Sequence, residues 1–472
     1  MIGRREEISV LAGCLESGRP EFVALYGRRR VGKTYLVKEF FNGSFSFYAT
    51  GVQDAGTRQQ LRIFKEALAS YGDDLNTIPK DWFEAFSRLE KLLDSASVSR
   101  EYKTGRRVVF LDELPWMDTA RSDFKSALDW FWNSWGSSQK DLLLIVCGSA
   151  TSWIINNIVK DTGGFYNRLT QQIRLLPFSL NECEQLLRSN GMQMTRGQVV
   201  ESYMIFGGIP YYLNYLNPRY SLAQNIDMLF FKENAPLRFE FIQLFKALFR
   251  NSGNYIDIVK ALAKKRSGLT RAELASCGRT AGGKELTVCL ENLEQCGFIR
   301  RYGDFSTKKN GGHFQLMDLL CLFHLTFLES GKIGSWVDFM GTPAYYAWGG
   351  LAFEMVCLHH VPQMKLALGI SGVASREYAW ASKKSEPGAQ IDLLIDRKDD
   401  VINLCEIKYS RDLYSIDATY ERELAHKVEV FRSETKTKKS LWLTMLTFSG
   451  LNRNEHSGLV TSGLTGEDLF SL

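Results

Sequence analysis

The sequence has no CxxC pair among its nine cysteines, no apolar run near the ~20 residues of a membrane span, and no large excess of either charge. Each absence excludes something. Most of the cysteines lie in apolar stretches such as Leu144-Ile145-Val146-Cys147, so they read as buried free thiols in a reducing compartment rather than as a zinc site or disulfide frame. The N-terminus is charged at once, Met1-Ile2-Gly3-Arg4-Arg5-Glu6-Glu7, with no apolar leader, and the chain is expected to be cytoplasmic, without a membrane partner. A net charge of +5 over 472 residues does not by itself argue for nucleic acid. His359, His360 and His426 have no metal-like spacing and are expected to be structural.

The chain does have enough apolar and aromatic residues for real cores, and enough length for about three domains. Its most informative stretch is Gly27-Arg28-Arg29-Arg30-Val31-Gly32-Lys33-Thr34, which fits G-x-x-x-x-G-K-[ST]. The apolar run Phe22 to Tyr26 precedes it and reads as a buried strand; Tyr35 to Phe41 follows and reads as a helix. A strand, a glycine loop and a helix start make a phosphate cradle, because loop amides converge on an anion that the helix N-terminus also favours. Residues 27–34 are therefore expected to bind nucleotide, with Lys33 on the terminal phosphates and the Thr34 hydroxyl on Mg²⁺.

A second apolar run, Arg107 to Leu111, ends in Asp112 and Glu113. In the context of the loop, Asp112 is expected to hold Mg²⁺ and Glu113 to polarise the attacking water as general base. A third run, Leu142 to Cys147, ends in Gly148-Ser149. Ser149 is expected to sense the γ-phosphate or the water, or to cap the following helix. Helical stretches Arg58 to Ser70 and Trp82 to Leu93 alternate with the strands, which predicts a parallel sheet with all three motifs at its carboxyl edge. The cluster Trp130, Phe131, Trp132 and Trp135 is expected to be core packing, with a lid or interdomain contact as the alternative.

The opening Ile2 to Glu7, the loop Tyr26 to Thr34, the segment Phe110-Leu111-Asp112-Glu113-Leu114-Pro115-Trp116 and the run Gly207 to Leu213 resemble the archaeal-type ATPase family, on the AAA+ side of the P-loop NTPases. The resemblance implies ATP as the nucleotide and a helical lid from about Ser179 to Leu216. It also implies that Arg168 approaches the nucleotide, where it would stabilise charge on the γ-phosphate or else form a surface salt bridge, and that Gly3-Arg4 lines the adenine pocket.

Further along, Tyr255 to Ala263 reads as a helix ending in the basic Lys264-Lys265-Arg266. Thr270-Arg271-Ala272-Glu273 is a capping box, and Lys284 to Cys296 reads as a third helix stopped by Gly297. Phe298 to Tyr302 and Gly312 to Leu316 would form a hairpin whose loop carries Lys308, Lys309 and Asn310. Three helices and a hairpin predict a winged helix-turn-helix. Its third helix carries Glu285, Glu291 and Glu294, while its wing carries Arg300, Arg301, Lys308 and Lys309. A wing on DNA phosphates and a purely structural or protein-binding module both fit these charges.

In the last third, Gln390 to Ile395 and Val401 to Lys408 read as strands joined by the turn Arg397 to Asp400. Antiparallel pairing about that turn sets Asp392 opposite Glu406, and alternation puts Lys408 on the face of Glu406. Two acids and a lysine on one patch suit Mg²⁺ or Mn²⁺ and a scissile phosphate, with Asp392 and Glu406 as ligands and Glu406 and Lys408 as catalytic groups. This D…E-x-K pattern resembles the PD-(D/E)xK nuclease superfamily, and the tract from Phe314 onward is similar to the nuclease-like DUF234 domain. That resemblance adds Glu354, in Gly350-Leu351-Ala352-Phe353-Glu354, as a further metal-facing acid; no proline immediately precedes Asp392 to complete the P-D dipeptide.

The fold class expected is α/β: a P-loop NTPase parallel sheet (1–178), a helical lid (179–245), a winged helix-turn-helix (246–320) and a C-terminal α/β restriction-endonuclease-like domain (321–472). The expected function is an ATP-binding, ATP-hydrolysing AAA+/STAND-like protein controlling a metal-dependent nuclease-like domain that acts on DNA. The alternatives are an ATP-dependent signalling or assembly switch, which self-associates or binds a protein partner or nucleic acid without cleavage, and a transcription regulator using the winged helix.

Overall fold

Short strands, most of them apolar, carry the first site. They are β1 (Glu21–Tyr26), β2 (Phe47–Thr50), β3 (Arg107–Asp112), β4 (Leu142–Gly148) and β5 (Gln171–Arg174), which form one parallel sheet in the order β5-β1-β4-β3-β2. The structure is a computed structural model that describes residues 1–471 apart from 161–162, 166, 250, 278–282, 304, 306–311, 330–333 and 383–387. The chain divides into two compact units, Met1–Pro177 and Phe178–Leu472, and the finer boundaries expected at 245 and 320 fall inside the second.

In the first unit, β3 and β4 are buried along their whole length, as expected of parallel strands covered on both faces. The core beside them is aromatic: Trp82 meets Phe64 and Phe124 edge-on, and Phe86 stacks on Phe131. Phe131, Trp132 and Trp135 are buried, but Trp130 is exposed and pairs with Phe83, which corrects the expectation that the whole cluster is core. One turn of helix cannot turn every residue inward, and Trp130 falls on the outer face.

The second unit begins with helices Leu180–Ser189 and Arg196–Phe206, each opened by a capping box, Ser179 with Glu182 and Thr195 with Gln198. Helices Ser252–Ala263, Arg271–Cys277 and Lys284–Gln295 follow, with a small antiparallel sheet of β6 (Leu269–Thr270), β8 (His313–Leu316) and β7 (Ile299–Tyr302) in the order β6-β8-β7. The Thr270–Glu273 capping box forms, with Glu273 Oε2 accepting from Thr270 N at 2.7 Å. Lys308, Lys309 and Asn310 lie outside the described residues.

Beyond helix Pro343–His359 lies a five-stranded mixed sheet of β9 (Ser375–Ala381), β10 (Gln390–Arg397), β11 (Val401–Lys408), β13 (Ser440–Thr447) and β15 (Val460–Thr465), ordered β15-β13-β11-β10-β9. β12 (Tyr414–Ser415) and β14 (Leu451–Asn452) form a separate short pair. β11 and β13 run parallel, so a crossover must join them, and helix Ala418–Thr435 supplies it. Leu424 and Phe431 of that helix bury themselves against Leu394, Leu404 and Met445 of the sheet. None of the nine cysteines is in a disulfide, and of the nine Cys277 alone is exposed. No helix among the described residues is long and apolar enough to cross a membrane.

Candidate functional site

Parallel pairing brings the ends of three strands to one edge of the first unit's sheet. Tyr26 is level with Gly148, and Asp112 with Thr50. β4 separates β1 from β3, so the Gly148-Ser149 tip stands between the loop after Tyr26 and the acids after Leu111.

The loop leaves β1 through Gly27, whose φ of +147° and whose closeness to the Leu175 carbonyl leave no space for a side chain. Gly32, at φ +95°, opens the helix Lys33–Phe40. Lys33 is 5% exposed, and its ammonium donates to the carbonyls of Gly27 and Arg28, each at 2.9 Å. Among the described residues no carboxylate pairs with it. A buried ammonium satisfied only by neutral carbonyls, inside a loop that opens a helix, has charge to offer an anion.

The Thr34 hydroxyl donates to Asp112 Oδ2 at 2.7 Å, so the two expected magnesium ligands meet across 78 positions of sequence. Asp112 Oδ1 accepts from the Glu113 amide at 2.9 Å. Burial pushes the Asp112 carboxyl above its ordinary range, against the downward pull of the Thr34 hydroxyl. Glu113 adopts a left-handed φ of 47°, and its Oε2 accepts from the amide and hydroxyl of Ser149 at 3.1 and 2.8 Å. Ser149 thus holds the expected base. It does not cap the next helix, where Ala150 takes the N-cap position without a side-chain bond.

Arg4 is buried, and its guanidinium donates to the carbonyls of Val31 at 3.0 Å and Leu176 at 2.7 Å, which ties the N-terminal segment to the phosphate loop. Arg168 is not brought to this edge. Thr170, two residues on, is level with Phe22, four residues and ~13 Å of strand before the Tyr26 end. Parallel pairing of β5 with β1 therefore leaves Arg168 exposed near the opposite edge of the sheet.

The second cluster belongs to the second unit. The β10–β11 register pairs Leu393 with Cys405, and the next step sets Asp392 opposite Glu406. Glu354, on helix Pro343–His359, is fully buried. Arg266 joins two of these acids: its Nε donates to Glu354 Oε2 at 2.5 Å, and its Nη2 pairs with the same oxygen and with Asp392 Oδ2 at 2.7 Å. Glu406 is held separately by Lys427 at 2.8 Å, Tyr420 at 2.7 Å and Lys408 at 3.4 Å.

Among the described residues no group of three or more acids, histidines or cysteines is gathered to hold a metal ion. The expected trio Glu354, Asp392 and Glu406 is instead neutralised by side-chain cations. Burial acts upward on Glu406, but Lys427, Lys408 and the Tyr420 hydroxyl outweigh it and hold the carboxyl below its ordinary range. Burial and the neighbouring Asp392 push Glu354 the other way, against Arg266. Arg266, Lys427 and Tyr420 carry no local signal; of them, only Arg266 lies in a stretch the sequence marks, the basic end of a helix.

Residues 1–216 match the model of the ATPase domain predominantly from Archaea. An uncharacterized protein of Methanocaldococcus jannaschii is 23% identical over 331 residues, which span 69% of this chain and 68% of that protein. The solved structure of a Walker-type ATPase of Pyrococcus abyssi covers 69% of this chain and 96% of its own, with 20% identity and a TM-score of 0.52, and shares the fold. Residues 1–216 are thus similar to the ATPase domain found predominantly in Archaea, and the glycine loop, acidic strand tip and intervening serine stand on one edge of a parallel sheet.

Proposed function

We propose that the first unit binds ATP with Mg²⁺ and hydrolyses it. The observation that carries this is the buried Lys33 ammonium, held by the loop's own carbonyls with no carboxylate partner among the described residues. The donor set fits a magnesium nucleotide: loop amides and Lys33 for the phosphates, Thr34 and Asp112 for the cation. Bound Mg²⁺ would neutralise charge on the phosphates. Asp112 must be ionised to serve, and its burial makes that costly until a cation arrives. Glu113 is the general base, held out of action by Ser149 until nucleotide rearranges the tip.

For the second unit we propose a nuclease-like domain, controlled by nucleotide state and acting on DNA, with a winged helix-turn-helix ahead of it. The placement of Asp392 opposite Glu406, the buried Glu354 and the nearby Lys408 support the nuclease-like reading; three helices with a small sheet, whose β6 lies between the first two helices, support the winged helix. The arginine and lysine partners of these acids favour a second reading, a switch whose C-terminal domain binds nucleic acid or protein without cutting. One experiment separates the two. Full-length protein is incubated with single-stranded, duplex and supercoiled DNA, with and without ATP and Mn²⁺. Cutting that disappears in Glu406→Ala while ATP hydrolysis continues supports the nuclease; no cutting of any form, with ATP-dependent assembly, supports the switch.

A further inference from the structure

The acids of the second unit are filled in a way that does not suit a purely structural ion pair. A carboxylate built to hold arginine takes it fork to fork, one nitrogen on each oxygen. Here both Nε and Nη2 of Arg266 converge on Glu354 Oε2, and Oε1 of the same fully buried carboxylate has no hydrogen-bond partner among the described residues. An orphaned carboxylate oxygen in a buried site is expensive, and the guanidinium in its observed place leaves it unsatisfied. A compact divalent cation with oxygen ligands can, because it takes either oxygen of Glu354 together with Asp392.

The arginine has a way out. Its side chain is 49% exposed, whereas Glu354 is 0% exposed, so the arginine reaches the buried acid from the solvent side. It comes from the connector 264–268 between helix Ser252–Ala263 and β6, not from the element that carries either acid. That connector is anchored at its far end. Gln315 donates to the Arg266 carbonyl at 2.9 Å, Tyr302 bonds the Ser267 carbonyl, and Gly268, at φ +71°, packs so closely on the Phe314 carbonyl that a side chain has no space. With the backbone fixed, any movement that frees the acids has to be the side chain's. Arg300, on β7, adds its charge to both acids from the same small sheet.

We propose that Arg266 is a built-in stopper: its guanidinium stands in the cation's place at Glu354 and Asp392, and these acids take a divalent cation only when Arg266 swings into solvent. The proposal rests on reading the acids as a metal site. The penalty on metal binding follows from populations: a closed form favoured by ~100 to 1 weakens apparent affinity about hundredfold.

The test is Mn²⁺ binding to the full-length chain without nucleotide, followed by the loss of the free-ion EPR signal. Arg266→Gln should bind Mn²⁺ at least tenfold more tightly than the unaltered chain, and adding Glu354→Gln should abolish the gain. Equal, Asp392-dependent affinity in the unaltered chain and Arg266→Gln overturns the stopper but leaves the metal site standing. No Mn²⁺ bound by either overturns both. A gain that survives Glu354→Gln also counts against the proposal. The unaltered chain gives a check that needs no variant to fold. Saturating Mn²⁺ should increase phenylglyoxal modification of Arg266 severalfold, read by peptide mass spectrometry, and unchanged reactivity overturns the proposal.

Discussion

Replacing Glu113 by glutamine tests the division of labour at the strand tips. The carboxylate accepts two hydrogen bonds from Ser149, both at Oε2. A glutamine can keep both through its amide oxygen, so the left-handed turn at Glu113 and the neighbouring Asp112 and Thr34 should stay in place. What it loses is basicity. A positioned general base contributes roughly 10²–10⁴ in rate, or about 3–5 kcal/mol of barrier. Glu113→Gln should therefore bind ATP within about threefold of the unaltered protein, since no phosphate-facing group changes, and hydrolyse it about a hundredfold more slowly or worse. Binding is measured by calorimetry and turnover by phosphate release at saturating Mg-ATP. Turnover within twofold of the unaltered protein would refute the assignment of the base; loss of binding would show that Glu113 organises the cradle instead.

Two further outcomes follow from the geometry. Gly27→Ala places a methyl group on the Leu175 carbonyl at a left-handed φ, so thermal unfolding should fall by about 2 kcal/mol or more in stability, and an unchanged melting temperature would contradict the close approach. His360 is buried, accepting from Leu180 N at Nε2 and facing the Val356 carbonyl at Nδ1, which requires the neutral ring with its proton on Nδ1; burial lowers its pKa from 6.5 to about 4. The unfolded chain takes up this proton near pH 6.5 and the folded chain does not, so the stability it contributes is whole above that value and is lost as pH falls toward 4, by about 3 kcal/mol. His360→Gln, which can keep both bonds, should flatten that part of the urea-unfolding profile between pH 7 and 4.5; an unchanged slope would refute the assignment.

The sequence discloses what is local and hides what is remote. The phosphate cradle is contiguous, so Gly27 to Thr34 announce themselves, and a short apolar run ending in Asp112-Glu113 is as plain. The hairpin turn at Arg397 to Asp400 lets simple counting pair Asp392 with Glu406. Counting cannot reveal that Arg266 crosses 126 positions to Asp392, or that Lys427 and Tyr420 reach Glu406 from the crossover helix. Nor can it set a rotamer, so the hold of Ser149 on Glu113 was hidden. Arg168 shows the limit of resemblance: pairing with β1 leaves it near the other end of the sheet.

The central claim is that the loop from Gly27 to Thr34 receives the triphosphate of ATP, and calorimetric titration of Mg-ATP into the full-length protein and its Lys33→Ala variant tests it most directly. One binding event in the unaltered protein, lost or weakened at least about a hundredfold in the variant, is the result expected when a buried cation to the phosphates is removed. Equal heats and affinities in the two, or none in the unaltered protein, would contradict the account.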